Sequence, residues 1–244
     1  MAVLRPYRYS GNKARHLSYI KIPPGFKRLR EVCFGSGSVS VNLGAHLECV
    51  GSDIDQRVVD LWNWLALQTE DSLNQLNQKY KKDIQLLTKP DIRTIPNLTA
   101  GERLYIKLNV CGVYTGQWSS WAVYTQHNLP IAKTIKALPR IKKIKVSKLS
   151  CLDYLYQDGD LIFFDPEYVG TSANYSKKAK QRSTALIESF LEINKHNPVI
   201  FTYGNDAKER FPHLNWEVGM KRKVPKIRTG GTLDRVEHIA YLNL

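Results

Sequence analysis

The chain has 244 residues, of which 43% are hydrophobic and 24% are charged, a composition typical of an ordinary globular protein with one α/β domain. No apolar run approaches the roughly 18 residues of a membrane span, and the N-terminus lacks the apolar stretch of a signal peptide, so we expect a cytoplasmic protein without a membrane partner. The formal charge of +14 favours a polyanionic partner such as nucleic acid over the alternative, a basic protein from a basic proteome.

The first third of the chain predicts alternating strands and helices. We expect a strand over 29–34, a helix over 39–47 and a second strand over 48–52. The apolar spacing of 58–80 predicts one long helix or two. From 81 to 139 the periodicity weakens, which indicates an irregular binding lobe or a loop-rich insertion.

The last hundred residues predict strands and helices again, namely strands over 145–150, 161–164 and 198–203, a helix over 184–194, and a closing hairpin of 217–227 and 236–243. Strand–helix alternation followed by a hairpin implies a mostly parallel sheet with helices on both faces. The expected fold is therefore a Rossmann-like α/β sheet with a terminal antiparallel hairpin.

Two early motifs favour a cofactor that contains adenosine. Gly35-Ser36-Gly37 lies between a predicted strand and a predicted helix, where glycine lets a ligand approach the backbone and the helix supplies free N–H groups. The alternative is a tight strand–helix turn. Asp53 ends the next strand, where a carboxylate can accept hydrogen bonds from both ribose hydroxyls. A helix N-cap explains a lone Asp equally well.

The sequence Asp165-Pro166-Glu167-Tyr168 directly follows the most apolar strand, at the sheet edge where ligands of such folds bind. The Asp165 carboxylate and the Pro166 carbonyl can accept the two N–H bonds of an adenine amine, which is otherwise a poor nucleophile. Tyr168 offers a ring on which an extruded base can stack. The alternative is a turn in which Asp165 is an N-cap.

Basic residues cluster in three runs, over 136–148, 177–182 and 221–228. Any single run is usually a solvated face. Three runs beside the motifs favour phosphate contacts, and we select Lys142 and Lys143 as substrate-binding candidates. The four cysteines and six histidines have no spacing suited to a metal, so we predict no metal and interpret Cys33 and Cys49 as buried thiols.

In motif content and order, the sequence resembles the Dam-type (D12 class) DNA adenine methyltransferases over nearly its full length. The resemblance implies cofactor-binding residues in four motifs, which are Tyr9 and Lys13 in Tyr9-Ser10-Gly11-Asn12-Lys13, Phe34, Gly35 and Gly37 in the glycine motif, Asp53, and Asp153 in Cys151-Leu152-Asp153. Asp165-Pro166-Glu167-Tyr168 corresponds to the family's catalytic Asp-Pro-Pro-Tyr, so Asp165 is expected to contact both cofactor and substrate.

Later segments extend the resemblance. The segment 109–118, with Asn109 and Tyr114 as substrate-binding candidates, resembles the start of target recognition, and Glu237-His238-Ile239-Ala240 resembles the family's last strand. Three positions depart from the family pattern: Asn12 replaces Gly, Cys33 replaces Phe, and Glu167 replaces the second Pro. The resemblance implies a catalytic domain of 1–59 and 146–244, and a target-recognition lobe of 60–145.

The function implied is transfer of a methyl group from S-adenosylmethionine to the N6 amine of an adenine flipped out of double-stranded DNA. The transfer would be direct and in line, without a covalent enzyme intermediate. Two alternatives stay open: methylation of the cytosine N4 amine, and a nucleic-acid-binding relative that has lost turnover. Methylation at cytosine C5 is disfavoured because it needs a nucleophilic Cys, typically in a Pro-Cys pair, and no such dipeptide occurs.

Overall fold

The computed structural model describes residues 3–7, 13–83, 96–110, 128–166, 177–225 and 232–244. Within these ranges one sheet of seven strands forms the centre of the protein: β1 Arg28–Val32, β2 Glu48–Asp53, β3 Lys145–Lys148, β4 Asp160–Phe164, β5 Val199–Tyr203, β6 Trp216–Pro225 and β7 Thr232–Leu242. Their spatial order is β3-β2-β1-β4-β5-β7-β6. Strands β1 to β5 are parallel, whereas β7 runs antiparallel to β5 and β6. The predicted Rossmann-like sheet with a terminal antiparallel hairpin is confirmed.

Apolar runs explain why β4 and β5 lie inside the sheet. Every residue of β4 and of β5 is buried. A strand covered on both faces is expected to be mostly apolar, as the Leu-Ile-Phe-Phe sequence of β4 and the Val-Ile-Phe-Thr-Tyr sequence of β5 are. Because β1, β2 and β4 are parallel, their carboxyl ends meet at one edge of the sheet, where the chain enters the loops that follow Val32, Asp53 and Phe164.

Helices cover both faces of this sheet. The described helices are α1 Ser38–Leu43, α2 Gln56–Ala66, α3 Glu70–Asp83, α4 Ala100–Val110, α5 Ile131–Ile141, α6 Lys177–Ile193 and α7 Ala207–Arg210. One core contains residues of α1 to α5 together with Leu29 and Phe163 of the sheet. A second core lies on the other face, where Phe190 of α6 stacks on Phe164. No helix among the described residues is both long and apolar enough to cross a bilayer.

The prediction for the middle of the chain missed two helices. The segment 58–80, predicted to be one long helix or two, contains most of α2 and most of α3, and residues 67–69 separate the two helices. Within 81–139, α4 and α5 are regular helices that pack into the same core as the sheet. A signal for α4 was present, because Thr99 and Glu102 form a reciprocal capping box, each backbone N–H donating to the other's side chain. The division into a catalytic domain and a lobe of 60–145 stays a prediction.

Candidate active site

Asp53 ties the loop after β1 to the end of β2. Its side chain is 8% exposed, and it accepts hydrogen bonds from the backbone N–H of Gly35 at 2.9 Å and of Asp55 at 2.9 Å. Burial raises the pKa of Asp53, and these two N–H donors oppose that rise. The N-cap of α2 is Asp55, which accepts from the N–H of Arg57. The N-cap interpretation of Asp53 is therefore wrong.

The glycine loop has a left-handed backbone at both glycines, with φ of 49° at Gly35 and 59° at Gly37, a conformation that glycine adopts without a steric cost. A short turn closes it, because the N–H of Gly37 donates to the carbonyl of Phe34 at 2.8 Å. The buried Tyr7 hydroxyl donates to the carbonyl of Gly35, a contact between residues 28 positions apart that no local sequence pattern predicts. The residues of the loop thus hold their shape through contacts with the N-terminal segment and with β2.

Phe34 lies in the core beneath the loop and is 2% exposed. Its ring makes an edge contact with Trp62 at a centroid distance of 4.8 Å. A Cβ atom built on Gly37 or on Gly51 would lie 2.3 Å from the ring, so the two glycines make room for it. Phe34 supports the loop from below, and its predicted contact with a cofactor stays a prediction.

Asp165 directly follows β4 and is held by two side chains. The Lys13 ammonium lies 2.6 Å from Asp165 Oδ1, and the Thr202 hydroxyl donates to the same oxygen at 2.7 Å. Burial raises the pKa of Asp165, and the charge of Lys13 lowers it. Lys13 and Asp165, predicted separately as site residues, therefore form an ion pair between a buried ammonium and a half-buried carboxylate.

A second carboxylate joins this ion pair from β7. Glu237 Oε2 lies 2.8 Å from His16 Nδ1 and 3.7 Å from Lys13 Nζ. Lys13 and His16 are both buried, at 3% and 5% exposure. Glu237 lies in the segment that resembles the family's last strand but has no predicted role, and His16 is not among the predicted site residues. The sequence signal available was a pair of ionisable residues, Lys13 and His16, in one short helical turn next to a glycine-containing motif.

Glu31 of β1 is a buried acid, 4% exposed, and its carboxylate accepts a hydrogen bond from the backbone N–H of Ser40 at 2.8 Å. Burial raises its pKa from 4.5 to about 7. In the unfolded chain Glu31 ionises near pH 4.5, whereas in the folded chain it stays protonated until about pH 7. The contribution of Glu31 to folding therefore becomes less favourable as pH rises from 4.5 to 7, and is constant above that range.

Replacing Glu31 by Gln should stabilise the protein at high pH only. Gln keeps an acceptor for Ser40 and removes the buried charge, so at pH 8 we expect a gain of about 3 kcal/mol in the free energy of unfolding, shrinking to near zero at pH 4. Urea unfolding at the two pH values measures this difference. Glu48→Gln, at an exposed position of β2, is the matched control and should show no such pH dependence. A stability difference that is equal at both pH values would contradict the assignment.

Two thiols meet beside the carboxylates. The side chains of Cys33 and Cys151 are hydrogen-bonded to each other, and this contact raises the pKa of Cys33 and lowers that of Cys151. Cys33 has a φ of 58° and is half-buried, whereas Cys49 is buried as predicted. Cys151 begins a short 3-10 helix that ends with the exposed Asp153. No group of three or more His, Cys, Asp or Glu side chains that could hold a metal occurs among the described residues.

The structure does not bring three of the substrate-binding candidates to this edge. Asn109 is 1% exposed within α4 and donates to the carbonyl of Tyr105 at 2.8 Å. Lys142 and Lys143 are exposed but precede β3, and Lys145 pairs with Val50, at the level three residues before Asp53. The two lysines thus lie towards the amino edge of the parallel sheet, and their contact with a substrate stays a prediction.

Pro166 is buried directly after Asp165. The predictions for Tyr9, Tyr114, Glu167 and Tyr168 lie outside the described residues. One further residue is notable at the described edge. Ile54, next to Asp53, is 69% exposed and places an apolar side chain beside the predicted ribose-binding carboxylate.

No family model and no curated protein matches the chain. Among solved structures it is similar to the C-terminal domain of precorrin-6Y C5,15-methyltransferase from Rhodobacter capsulatus, with 10% identity and a TM-score of 0.41 over 99% of this chain and 100% of that one. It is also similar to a dimethyladenosine transferase from Plasmodium falciparum, with 11% identity and a TM-score of 0.39 over 98% of this chain and 63% of that one.

A third similar structure is magnesium protoporphyrin IX methyltransferase from Synechocystis, solved with bound S-adenosylmethionine, with 10% identity and a TM-score of 0.34 over 90% of this chain and 71% of that one. All three TM-scores are below 0.5.

Proposed function

We propose that this protein is a Dam-type DNA methyltransferase that transfers a methyl group from S-adenosylmethionine to the N6 amine of adenine. The main support is one juxtaposition at the carboxyl edge of the sheet. The loop of Gly35 and Gly37 is bonded to Asp53 at the end of β2, and Asp165 follows β4, the strand that pairs with β1 on its other side. Residues that suit a nucleoside and a carboxylate held by an ion pair thus stand at the ends of adjacent strands.

The glycine loop, Asp53 and Ile54 fit the adenosyl end of the cofactor. A carboxylate has about four lone-pair positions, so Asp53 can accept ribose hydroxyls while it keeps its bonds to the N–H groups of Gly35 and Asp55. Ile54 offers an apolar surface for the adenine ring. When bound, S-adenosylmethionine supplies the methyl group on a sulfonium, an electrophile that requires no metal.

Asp165 and Pro166 fit an amine nucleophile. The lone pair of the adenine amine is delocalised into the ring, and acceptors for its N–H bonds draw that lone pair out towards the methyl group. Lys13 and Thr202 both bind Oδ1 of Asp165 and hold that oxygen in place, and the positive charge of Lys13 favours the ionised form of the carboxylate. Asp165 then accepts one N–H, and the Pro166 carbonyl accepts the other.

The deciding experiment offers tritium-labelled S-adenosylmethionine and double-stranded DNA of mixed sequence to the purified protein, followed by base-resolved mapping of the product. Label on adenine N6 supports the proposal. Label on cytosine N4 would select the closest alternative, which uses the same chemistry on a different ring. Binding of DNA without any transfer would indicate a relative that has lost turnover.

Asp53→Ala should weaken S-adenosylmethionine binding by about 10-fold to 100-fold, because ribose hydroxyls lose a charged acceptor that contributes roughly 1.5–3 kcal/mol. Isothermal titration calorimetry measures this affinity. Asp55→Ala is the matched control, since it removes the neighbouring carboxylate that caps α2. Unchanged affinity in a folded Asp53→Ala protein would leave Asp53 with a purely structural role in holding the glycine loop.

The two lysines at the amino edge give a separate test of DNA contact. If they bind phosphates, replacing Lys142 and Lys143 by Gln should reduce the slope of log affinity against log salt by up to about 2, since each phosphate contact contributes roughly 0.9. Cofactor affinity should be unchanged because these residues lie away from Asp53. Replacing the exposed pair Lys81 and Lys82 of α3 removes the same charge elsewhere. Equal slopes in the two double variants would make the Lys142–Lys143 pair a solvated face.

A further inference from the structure

Four ionisable side chains from three separate segments meet behind the carboxyl edge. Lys13 begins the short 3-10 helix Lys13–Arg15, and His16 directly follows that helix. Asp165 follows β4, and Glu237 lies in β7. Lys13 stands between the two carboxylates, 2.6 Å from Asp165 Oδ1 and 3.7 Å from Glu237 Oε2. His16 Nδ1 is 2.8 Å from the same oxygen of Glu237. The arrangement runs in order from His16 to Glu237, Lys13 and Asp165.

The distances imply competition for the lysine. Lys13 is 3% exposed, so its charge is poorly screened by water and both carboxylates attract it strongly. The shorter contact goes to Asp165, while the shorter contact of Glu237 is to His16. His16 therefore satisfies the carboxylate that would otherwise draw Lys13 away from Asp165.

We propose that Glu237 and His16 are positioning residues which act through Lys13 to set the charge and orientation of Asp165. The inference rests on the proposed function, because it assigns a purpose to the ionised form of Asp165. It adds a carboxylate and a histidine that touch neither the glycine loop nor Asp53 in the contacts described above. Glu237 attracts Lys13 and so weakens the interaction between the lysine charge and Asp165. The contact between Glu237 and His16 limits this weakening.

The charges that face Asp165 act in both directions. Lys13 lowers the pKa of Asp165, and Glu237 raises it. Glu31 from β1 and Cys33 from the glycine loop also interact with Asp165 electrostatically. Thr202 of β5 donates a hydrogen bond to its carboxylate, which favours the ionised form. Changing Glu237 alone leaves all the other groups in place, so its effect can be isolated.

The test measures the pKa of Asp165 directly, by carbon-13 NMR of the full chain labelled at Asp carboxyls, with the signal assigned by its loss in Asp165→Asn. Glu237→Gln should move the pKa of Asp165 down, because the negative charge that attracts Lys13 and repels the Asp165 carboxylate is removed. Lys13→Met should move it up by about 1 unit or more. Glu217→Gln, an exposed acid on β6 of the same hairpin, is the control and should move it little.

A double-variant comparison tests whether His16 works through Glu237. His16→Gln should raise the pKa of Asp165 in the native background, because Glu237 then draws Lys13 towards itself. In the Glu237→Gln background the same change should have little effect. If methyl transfer is measured as well, the acidic limb of the kcat profile should follow these shifts, whereas loss of a structural contact alone would lower kcat at every pH.

The proposal is overturned if Glu237→Gln leaves the pKa of Asp165 unchanged or raises it. It is also overturned if His16→Gln has equal effects in both backgrounds. The Gln variants are close in size to the residues they replace, so they keep the test open if Lys13→Met fails to fold. The NMR measurement needs no substrate. Shifts of the expected sign in the pKa of Asp165 without methyl transfer to any DNA would therefore uphold the positioning role of Glu237 and His16 and contradict the proposed function.

Discussion

An Asp165→Ala variant is expected to bind S-adenosylmethionine within a few-fold of the native protein and to lose methyl transfer by about 10²-fold to 10⁴-fold. Binding and transfer should respond differently because Asp165 acts on the amine of the base. The cofactor is expected to bind to the glycine loop, which follows β1, and to Asp53, which ends β2. The loss should appear in kcat and in kcat/KM together, as for an interaction made mainly in the transition state. Calorimetry and single-turnover transfer of labelled methyl measure the two properties separately.

The matched control for this variant is Asp158→Ala. Asp158 is an exposed acid that precedes β4, so it lies at the opposite end of the strand that Asp165 follows. Its removal takes away the same charge without touching the carboxyl edge. Turnover close to native in Asp165→Ala would remove Asp165 from the chemistry and leave it as the ion-pair partner of Lys13. Loss of cofactor binding in a folded Asp165→Ala protein would instead move Asp165 into the cofactor site.

The sheet could be predicted from sequence because burial on both faces leaves a plain signal. β4 and β5 are continuous apolar runs, and each was placed within one residue of its observed bounds. α4 was missed because its apolar residues are mixed with Lys107 and Asn109. α5 was missed although its apolar face is regular, because Gly, Pro, Asn and aromatic residues dominate 81–139 and indicated an irregular segment, and Pro139 lies inside the helix. Tertiary packing on α2 and on the sheet stabilises both helices beyond their local preference.

The site could be predicted only in part, and for physical reasons. Asp53 and Asp165 were found because each ends a strand at the carboxyl edge, where topology alone brings them near each other. A lone Asp before a helix fits an N-cap equally well, and only the structure shows that Asp55 has that role. The contact between His16 and Glu237 joins residues more than 200 positions apart, across β7, which returns antiparallel beside β5. No local pattern specifies such a pairing.

The support beneath the glycine loop gives the second large effect. Gly51→Val should lower the free energy of unfolding by about 3 kcal/mol, which corresponds to roughly 6–12 °C in Tm for a chain of this size. A Cβ atom at Gly51 would lie 2.3 Å from Phe34 Cδ2 and 2.5 Å from Cε2. The ring cannot move aside, because Gly37 faces it on one side and Trp62 contacts it at 4.8 Å. Valine suits a strand, so the cost comes from packing rather than from the backbone.

Two controls separate this packing effect from others. Gly25→Ala introduces a side chain at a φ of 98° with no atom within 4 Å of the new Cβ, so it should show only the backbone cost of about 1 kcal/mol. Phe34→Ala alone should cost about 3–5 kcal/mol by leaving a cavity. In the Gly51→Val/Phe34→Ala double variant the valine occupies part of that cavity, so the double variant should be more stable than the sum of the single effects by about 1 kcal/mol or more. Additive effects would mean that Gly51 and Phe34 do not contact each other, and the glycine loop would then need another support.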